Sequence, residues 1–501
     1  MMRSAGERVA TAFFSLFILA AAAYGTVRVM RSSWLFFYTE GNVMVSIGAL
    51  LEASSLAAMY PNDGWAVPPL VMTLYPPIYP VVSALLAKVS GTQTTLLMPR
   101  LVSLVAMLVV VVGLVRLARQ RGVPAWLVAV PLGALLLAPP FSNLLGAAQV
   151  DVLALCWTVV GVMLVAREEK MAGSRVWMSL PFFILAFFTK QSFITAPGAL
   201  VLVLFLNGRR QLAARYVVVF AAVAAAGLFL LDRVTGGGYL MNTVGALTGA
   251  TSGANLITTL VQSRPLKWLP VALLLVLWAG RGFRLGVVEL WVVASWFLNV
   301  SATVKVGASV NYLFEPLFAL LMLAVVRIPA SSDDRPSPAS RSPVFTAATV
   351  ALVLWAAVAT APRARQAADV ARAMWSPGWE VHLDGFDTGY PLVDAQYVPA
   401  VRDRGTLPYL NDTYAFGVLL EVGRWDAEPL LVALREREVP FILTDTDLRA
   451  GTRADGIAPG SEGFAHFWRI PSIQHAIRDN YELTSDSSPW VWRPRAAVDG
   501  E

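Results

Sequence analysis

Residues 176–207 read VWMSLPFFILAFFTKQSFITAPGALVLVLFLN, and their length decides what kind of chain this is. A single helix over this stretch would run about 48 Å at 1.5 Å per residue, whereas the apolar core of a bilayer is about 30 Å thick. The stretch therefore has to turn, and Thr189-Lys190-Gln191-Ser192 is the polar place to do it. Each half then covers only about 22 Å, so the turn lies below headgroup level. Irregular backbone at that depth is tolerated where it lines a cavity. Lys190 is accordingly expected in a cavity open to the outer side, where an ammonium suits a phosphate. A lysine snorkelling at an ordinary hairpin is the plainer alternative.

Working outward, similar apolar runs recur through the first 360 residues of a 501-residue chain that is 56% hydrophobic and 14% charged. Soluble domains rarely repeat such runs. Spans are expected at 9–30, 98–117, 124–140, 146–166, 176–190, 192–207, 214–232, 266–280, 286–303, 308–326 and 344–361. The first reads as an uncleaved helix rather than a signal peptide, given how many spans follow. With the N-terminus cytoplasmic, the groups Arg116/Arg119/Arg121, Arg167/Lys170/Arg175, Arg209/Arg210/Arg215, Arg281/Arg284 and Arg327/Arg335/Arg341 all fall inside, as the positive-inside bias requires. Counting 71–89 as a span would break that alternation, and its prolines disrupt helix near its start. It is read as an interfacial helix on the outer leaflet.

The fold expected is thus a polytopic α-helical bundle of about eleven spans over 1–361. Residues 31–97 form an outer first loop with juxtamembrane helices, and 362–501 a small extracytoplasmic α/β domain. In that domain Leu430–Arg435 reads as an amphipathic helix, Phe441–Thr444 as a buried strand, and 481–483 with 490–492 as a closing strand pair. The net charge of +6 lies mostly at helix ends and does not indicate nucleic acid. His382, His466 and His475 lack metal-ligand spacing, and one cysteine, Cys156, excludes an intrachain disulfide. Asp445-Thr446-Asp447 reads as a strand-end turn rather than a metal site, and no P-loop or dinucleotide fingerprint is present.

Several polar residues stand out against this background. Glu40, in Tyr38-Thr39-Glu40-Gly41, follows the first span, and Asp63 is a second acid in the same loop. Asp151 opens the fourth span, either pairing with Lys190 or serving as an acid favoured by the helix dipole. Arg100 starts the second span from outside and is a second candidate for phosphate. Asn311 and Glu315, four apart, share a helix face, with Pro316 expected to kink that helix. The uncharged loop Val234–Ser263 is either a mobile lid or a plain flexible loop.

Taken in order, Tyr38-Thr39-Glu40-Gly41, Tyr75-Pro76-Pro77-Ile78-Tyr79, Pro99-Arg100-Leu101, Asp151, Phe188-Thr189-Lys190-Gln191 and Asn311–Pro316 resemble the GT-C class of membrane glycosyltransferases. The likeness is to the bacterial type that uses polyprenyl-phosphate-linked sugars, related to protein mannosyltransferases and lipid A aminoarabinose transferases. It covers nearly the whole chain. The resemblance implies Glu40 as the catalytic carboxylate, and Asp151 is a second catalytic candidate. Lys190 and Arg100 would meet the donor phosphate, and Tyr75, Gln191, Asn311 and Glu315 are substrate-site candidates. Members often carry an Asp-Glu pair where this chain has Thr39-Glu40, so a divalent metal held by two adjacent acids is not implied, and a divalent metal held otherwise stays the open cofactor alternative. The function expected is inverting transfer of a sugar from a polyprenyl-phosphate donor to a hydroxyl of a glycan, lipid or protein acceptor. Glu40 would act as general base, on the outer side of a bacterial inner membrane and without a nucleotide. The competing reading is a transporter or flippase of a lipid-linked or small polar substrate, since intramembrane charges also mark substrate paths.

Overall fold

The structure, a computed structural model, describes residues 26, 39–63, 65–92, 96–121, 132, 147–166, 173–246, 256–257, 285–305, 310–327, 389–394, 397–402, 406–444, 448–450, 467–485 and 490–496. Apart from Thr26 and Leu132, the spans expected at 9–30, 124–140, 266–280 and 344–361, together with Tyr38, His382, His466 and Asp445–Asp447, lie outside them.

The described part is mostly helical. Within 31–97 lie α1 (Thr39–Ala53), α2 (Leu56–Met59) and α3 (Ile78–Ser90), followed by α4 (Leu97–Gln120), α5 (Val150–Val165), α6 (Gly173–Thr189), α7 (Thr195–Leu206), α8 (Arg210–Val234), α9 (Val287–Ala302) and α10 (Phe314–Arg327). Among the described residues α4 and α8 are long and apolar enough to cross a membrane by themselves, the others being shorter apolar helices. The break expected at Lys190 is present: α6 ends at Thr189, and α7 starts at Thr195 after a turn closed by Phe193 N–H on the Lys190 carbonyl at 3.0 Å.

Burial sorts the helices. Leu313–Val325 is buried without interruption, so α10 is apolar all round because it is enclosed all round. On α8 only Ala213, Tyr216 and Ala224 are buried, and Val218, Phe229 and Leu230 point outward. Gly161 of α5 lets the Phe183 ring of α6 approach so closely that a Cβ there would stand 2.7 Å from Cε1.

Three expectations change in detail. Residues 71–77 are not helical; helix begins only at Ile78, because Met72 and Thr73 direct their backbone N–H groups sideways to Asn411 and Asn242, and Pro76-Pro77 cannot donate. Pro316 does not kink its helix. Asn311 lies in a 3-10 turn (Val310–Leu313), while Glu315 and Pro316 are in the first turn of α10, where a missing N–H costs nothing. The lid expected over 234–263 is helical and tied down at its start: Asn242 donates to the carbonyls of Pro61 and Gly238, both at 2.9 Å.

The C-terminal part contains a four-stranded sheet in the order β1-β2-β4-β3, where β1 is Leu392–Val393, β2 Ile442–Thr444, β3 Tyr481–Leu483 and β4 Trp490–Pro494. β1 pairs parallel with β2, Leu392 opposite Ile442, and the other pairs are antiparallel. Helix Glu428–Arg435 and helix Pro471–Asn480 cover it. Its core takes in Trp65, Leu70 and Met72 of the first loop.

Candidate active site

Glu40 is the second residue of α1, at the positive end of the helix dipole, and it is completely buried. Arg100, in the first turn of α4 and equally buried, meets it with both arms of its fork. Nε donates to Oε1 at 2.9 Å and Nη2 to Oε2 at 3.0 Å. The backbone N–H of Ala148 adds a 2.6 Å bond to Oε1. Beside it, Gln149 Nε2 donates to Thr39 Oγ1 at 2.6 Å, and Tyr79 Oη donates to the Pro99 carbonyl at 2.6 Å while contacting Ser103 Oγ at 2.8 Å. One ion pair therefore ties α1, α3, α4 and the segment entering α5. The expected proton acceptor and one expected phosphate ligand are bonded to each other.

Three residues after Ala148, in the first turn of α5, Asp151 faces the broken hairpin. Lys190 Nζ lies 2.5 Å from its Oδ1, and Asn311 Nδ2 approaches the same oxygen at 3.5 Å. Oδ2 is buried and, among the described residues, has no donor. The ammonium stands 4.8 Å from the centre of the Tyr312 ring and 5.8 Å from that of Tyr75, a cation–π setting that stabilises the charge. Gln191, the next residue, donates from Nε2 to the Leu74 carbonyl at 3.4 Å. That bond fixes the amide's direction and leaves Oε1 buried as a second acceptor, without a donor among the described residues. Lys305, just beyond α9, is close enough to respond to Lys190: burial, then the charge of Lys190, brings its amine down to about 8.

Glu315 belongs to a different neighbourhood. Its Oε1 accepts from Thr195 Oγ1 of α7 and from Trp291 Nε1 of α9 at 2.8 Å, and Oε2 from Asn299 Nδ2 at 3.2 Å. Three neutral donors hold this carboxylate. Asp63 forms an exposed turn, accepting from Trp65 N–H at 2.9 Å.

The structure thus brings Glu40 to Arg100, and gathers Asp151, Lys190, Tyr75, Gln191 and Asn311 at a second centre three residues along the chain from the first. Tyr312, Thr195, Trp291, Asn299 and the Ala148 N–H escaped sequence reading. Trp291 and Asn299 are eight apart, hence on one helical face, and that spacing is the signal that was there to find. Among the described residues no group of three or more His, Cys, Asp or Glu side chains is arranged to hold a metal ion.

The sequence matches no family model and no curated protein. The fold, however, is shared. ArnT from Cupriavidus metallidurans bound to undecaprenyl phosphate superposes with a TM-score of 0.57 at 14% identity, over 98% of this chain and 99% of that one. Its apo structure gives the same TM-score and identity over 98% and 100%. The apo oligosaccharyltransferase of Archaeoglobus fulgidus follows at 0.49 and 11% identity, over 97% of this chain and 75% of that one. At such identity the likeness is one of fold.

Proposed function

We propose, with the GT-C fold as premise, that this chain is an integral membrane glycosyltransferase taking its sugar from a polyprenyl-phosphate donor. The observation that carries the reading is the Asp151–Lys190 pair, in which one carboxylate oxygen holds the ammonium and the other has no donor among the described residues. The fold neighbour ArnT was crystallised with undecaprenyl phosphate, which supports a lipid phosphate as the group Lys190 receives.

The acceptor hydroxyl attacks the anomeric carbon as its proton passes to Asp151 Oδ2. A new glycosidic C–O bond forms, the bond from that carbon to the phosphate oxygen breaks, and configuration inverts. Polyprenyl phosphate leaves, its charge taken up by Lys190 as the ammonium turns from Asp151. Tyr75 and Tyr312 flank that ammonium, and Gln191 Oε1 is a second acceptor suited to a sugar hydroxyl or amine. Glu40 acts through Arg100 and the Ala148 N–H as a positioning residue. A second reading keeps Glu40 as the base, as the resemblance implies. Its contact with the chain segment leading to Asp151 favours that reading, and it requires the Arg100 pair to open.

The test uses purified full-length protein in liposomes with undecaprenyl-phosphate-linked sugars and measures release of undecaprenyl phosphate. Asp151→Asn is expected to lower turnover by about 10²–10⁴-fold, the usual worth of a general base, while undecaprenyl phosphate still binds. Lys190→Ala should lose that binding. Turnover unchanged in Asp151→Asn removes Asp151 from the chemistry, and intact donor moved between leaflets without cleavage makes the protein a flippase.

A further inference from the structure

The segment Leu70–Tyr75 is a single extended strut, and an element assigned no role so far holds one end of it. Leu70 bridges Leu410 in parallel register, its N–H donating to the Tyr409 carbonyl at 2.8 Å and its carbonyl accepting from Asn411 N–H at 3.3 Å. The fully buried Asn411 side chain then closes both backbone groups of Met72, accepting from its N–H at 2.8 Å and donating to its carbonyl at 2.9 Å. Beyond that point the holders change. Thr73 N–H donates to Asn242 Oδ1 at 3.2 Å and Thr73 Oγ1 meets Ser46 Oγ of α1 at 3.0 Å. The Leu74 carbonyl takes Gln191, and the Tyr75 carbonyl takes Tyr60 Oη at 2.7 Å.

Side chains alternate along an extended segment, so a slip of one residue reverses every one of them. Leu70, Met72 and Leu74 pack into the core of the C-terminal sheet, whereas Tyr75 packs with the helical core. Apolar contact alone would tolerate a slide; two hydrogen bonds from one amide to one residue do not. We infer that Asn411 is a positioning residue: by fixing the register of 70–75, it lets the C-terminal part hold Tyr75 over Lys190 and the Leu74 carbonyl under Gln191. The inference rests on the Lys190 site proposed above, and it gives the C-terminal part a task in building that site. Asp412, the next residue, adds a direct tie to α1 through Asn42 Nδ2 at 2.5 Å.

The experiment compares full-length wild type with Asn411→Ala, Asn411→Asp and Lys190→Ala, using hydrogen exchange and undecaprenyl phosphate binding in detergent. Asn411→Ala should speed exchange across 72–75 and at 190–193 while Ile442–Thr444 stays protected, and should weaken undecaprenyl phosphate binding about tenfold, the scale of one or two lost bonds. Asn411→Asp keeps the acceptor for Met72 N–H and should fall between. If Asn411→Ala also deprotects Ile442–Thr444, the milder Asp variant decides. Exchange raised at Met72 alone, or spread to 190–193 with lipid affinity unchanged, overturns the inference. Failure of wild type to bind undecaprenyl phosphate overturns the lipid-phosphate reading instead, and the exchange pattern in Asn411→Ala then decides the clamp alone. Lys190→Ala, expected to lose the lipid with 72–75 still protected, separates the two.

Discussion

At the scale of single residues, the two acids at the site differ in what their removal leaves behind. Glu40→Gln strands a buried guanidinium, and breaking such a pair costs about 3–5 kcal/mol; a large fall in thermal stability is expected in that variant. Glu40→Gln combined with Arg100→Met should recover much of it, and activity in the double variant reports whether Glu40 takes a proton or only holds Arg100. A second prediction concerns Asp412, whose carboxyl is pushed up to about 6 by burial, against bonds from Ala415 N–H and Asn42 that pull it down. The folded state then binds this proton more tightly than the unfolded one. Its contribution is therefore greatest below about pH 4 and declines as pH rises to about 6, by about 3 kcal/mol at most for a shift of some two units. Asp412→Asn keeps the helix cap through Oδ1, and its Nδ2 replaces the oxygen that accepts from Asn42 Nδ2, so the Asn42 amide turns over to present Oδ1, an atom with no donor among the described residues. Melting curves between pH 4 and 8 should flatten in that variant and lie above wild type at pH 7. Lys190 and Asp151 were legible as charges in apolar surroundings, but the Glu40–Arg100 bond was not. The two residues lie 60 apart, and nothing in either neighbourhood says which helices will adjoin.

Among the elements, proline marks beginnings. Pro80, Pro99, Pro197 and Pro316 each stand third in their helix, where the N–H has no acceptor to lose. Read from sequence, Pro316 looked like a kink because hydropathy starts the span six residues before the hydrogen bonds do. The charged turn at Lys190 was legible since length alone required a break, and β2, β3 and β4 were legible from their β-branched and aromatic runs, whereas the two-residue β1 was too short to leave a pattern. The helical start of 234–263 was not, being made by Asn242 reaching distant carbonyls. Helix contact gives a further prediction. Gly161→Ala drives a methyl into the Phe183 ring and should destabilise by about 1–3 kcal/mol, the usual cost of overpacking. Phe183→Leu in the same chain should return part of that loss in a thermal melt.

For the molecule as a whole, the bridge between Leu70 and Leu410 requires the first loop and the C-terminal sheet to share one side of the bilayer. The native cysteine is single and buried, so introduced thiols can be read against a quiet background. Ala66→Cys and Glu482→Cys, at exposed positions, should react with an impermeant reagent in intact cells, and Gln120→Cys at the far end of α4 only after lysis. Labelling of the first two from opposite faces would refute the arrangement. The Asn411 clamp also has a consequence for biosynthesis. Met72 waits for a partner 339 residues later in the chain, about 20–70 s of synthesis at typical rates. Nascent chains carrying Lys190 and Asp151 are thus expected to gain the register of 70–75 only once Asn411 has been made.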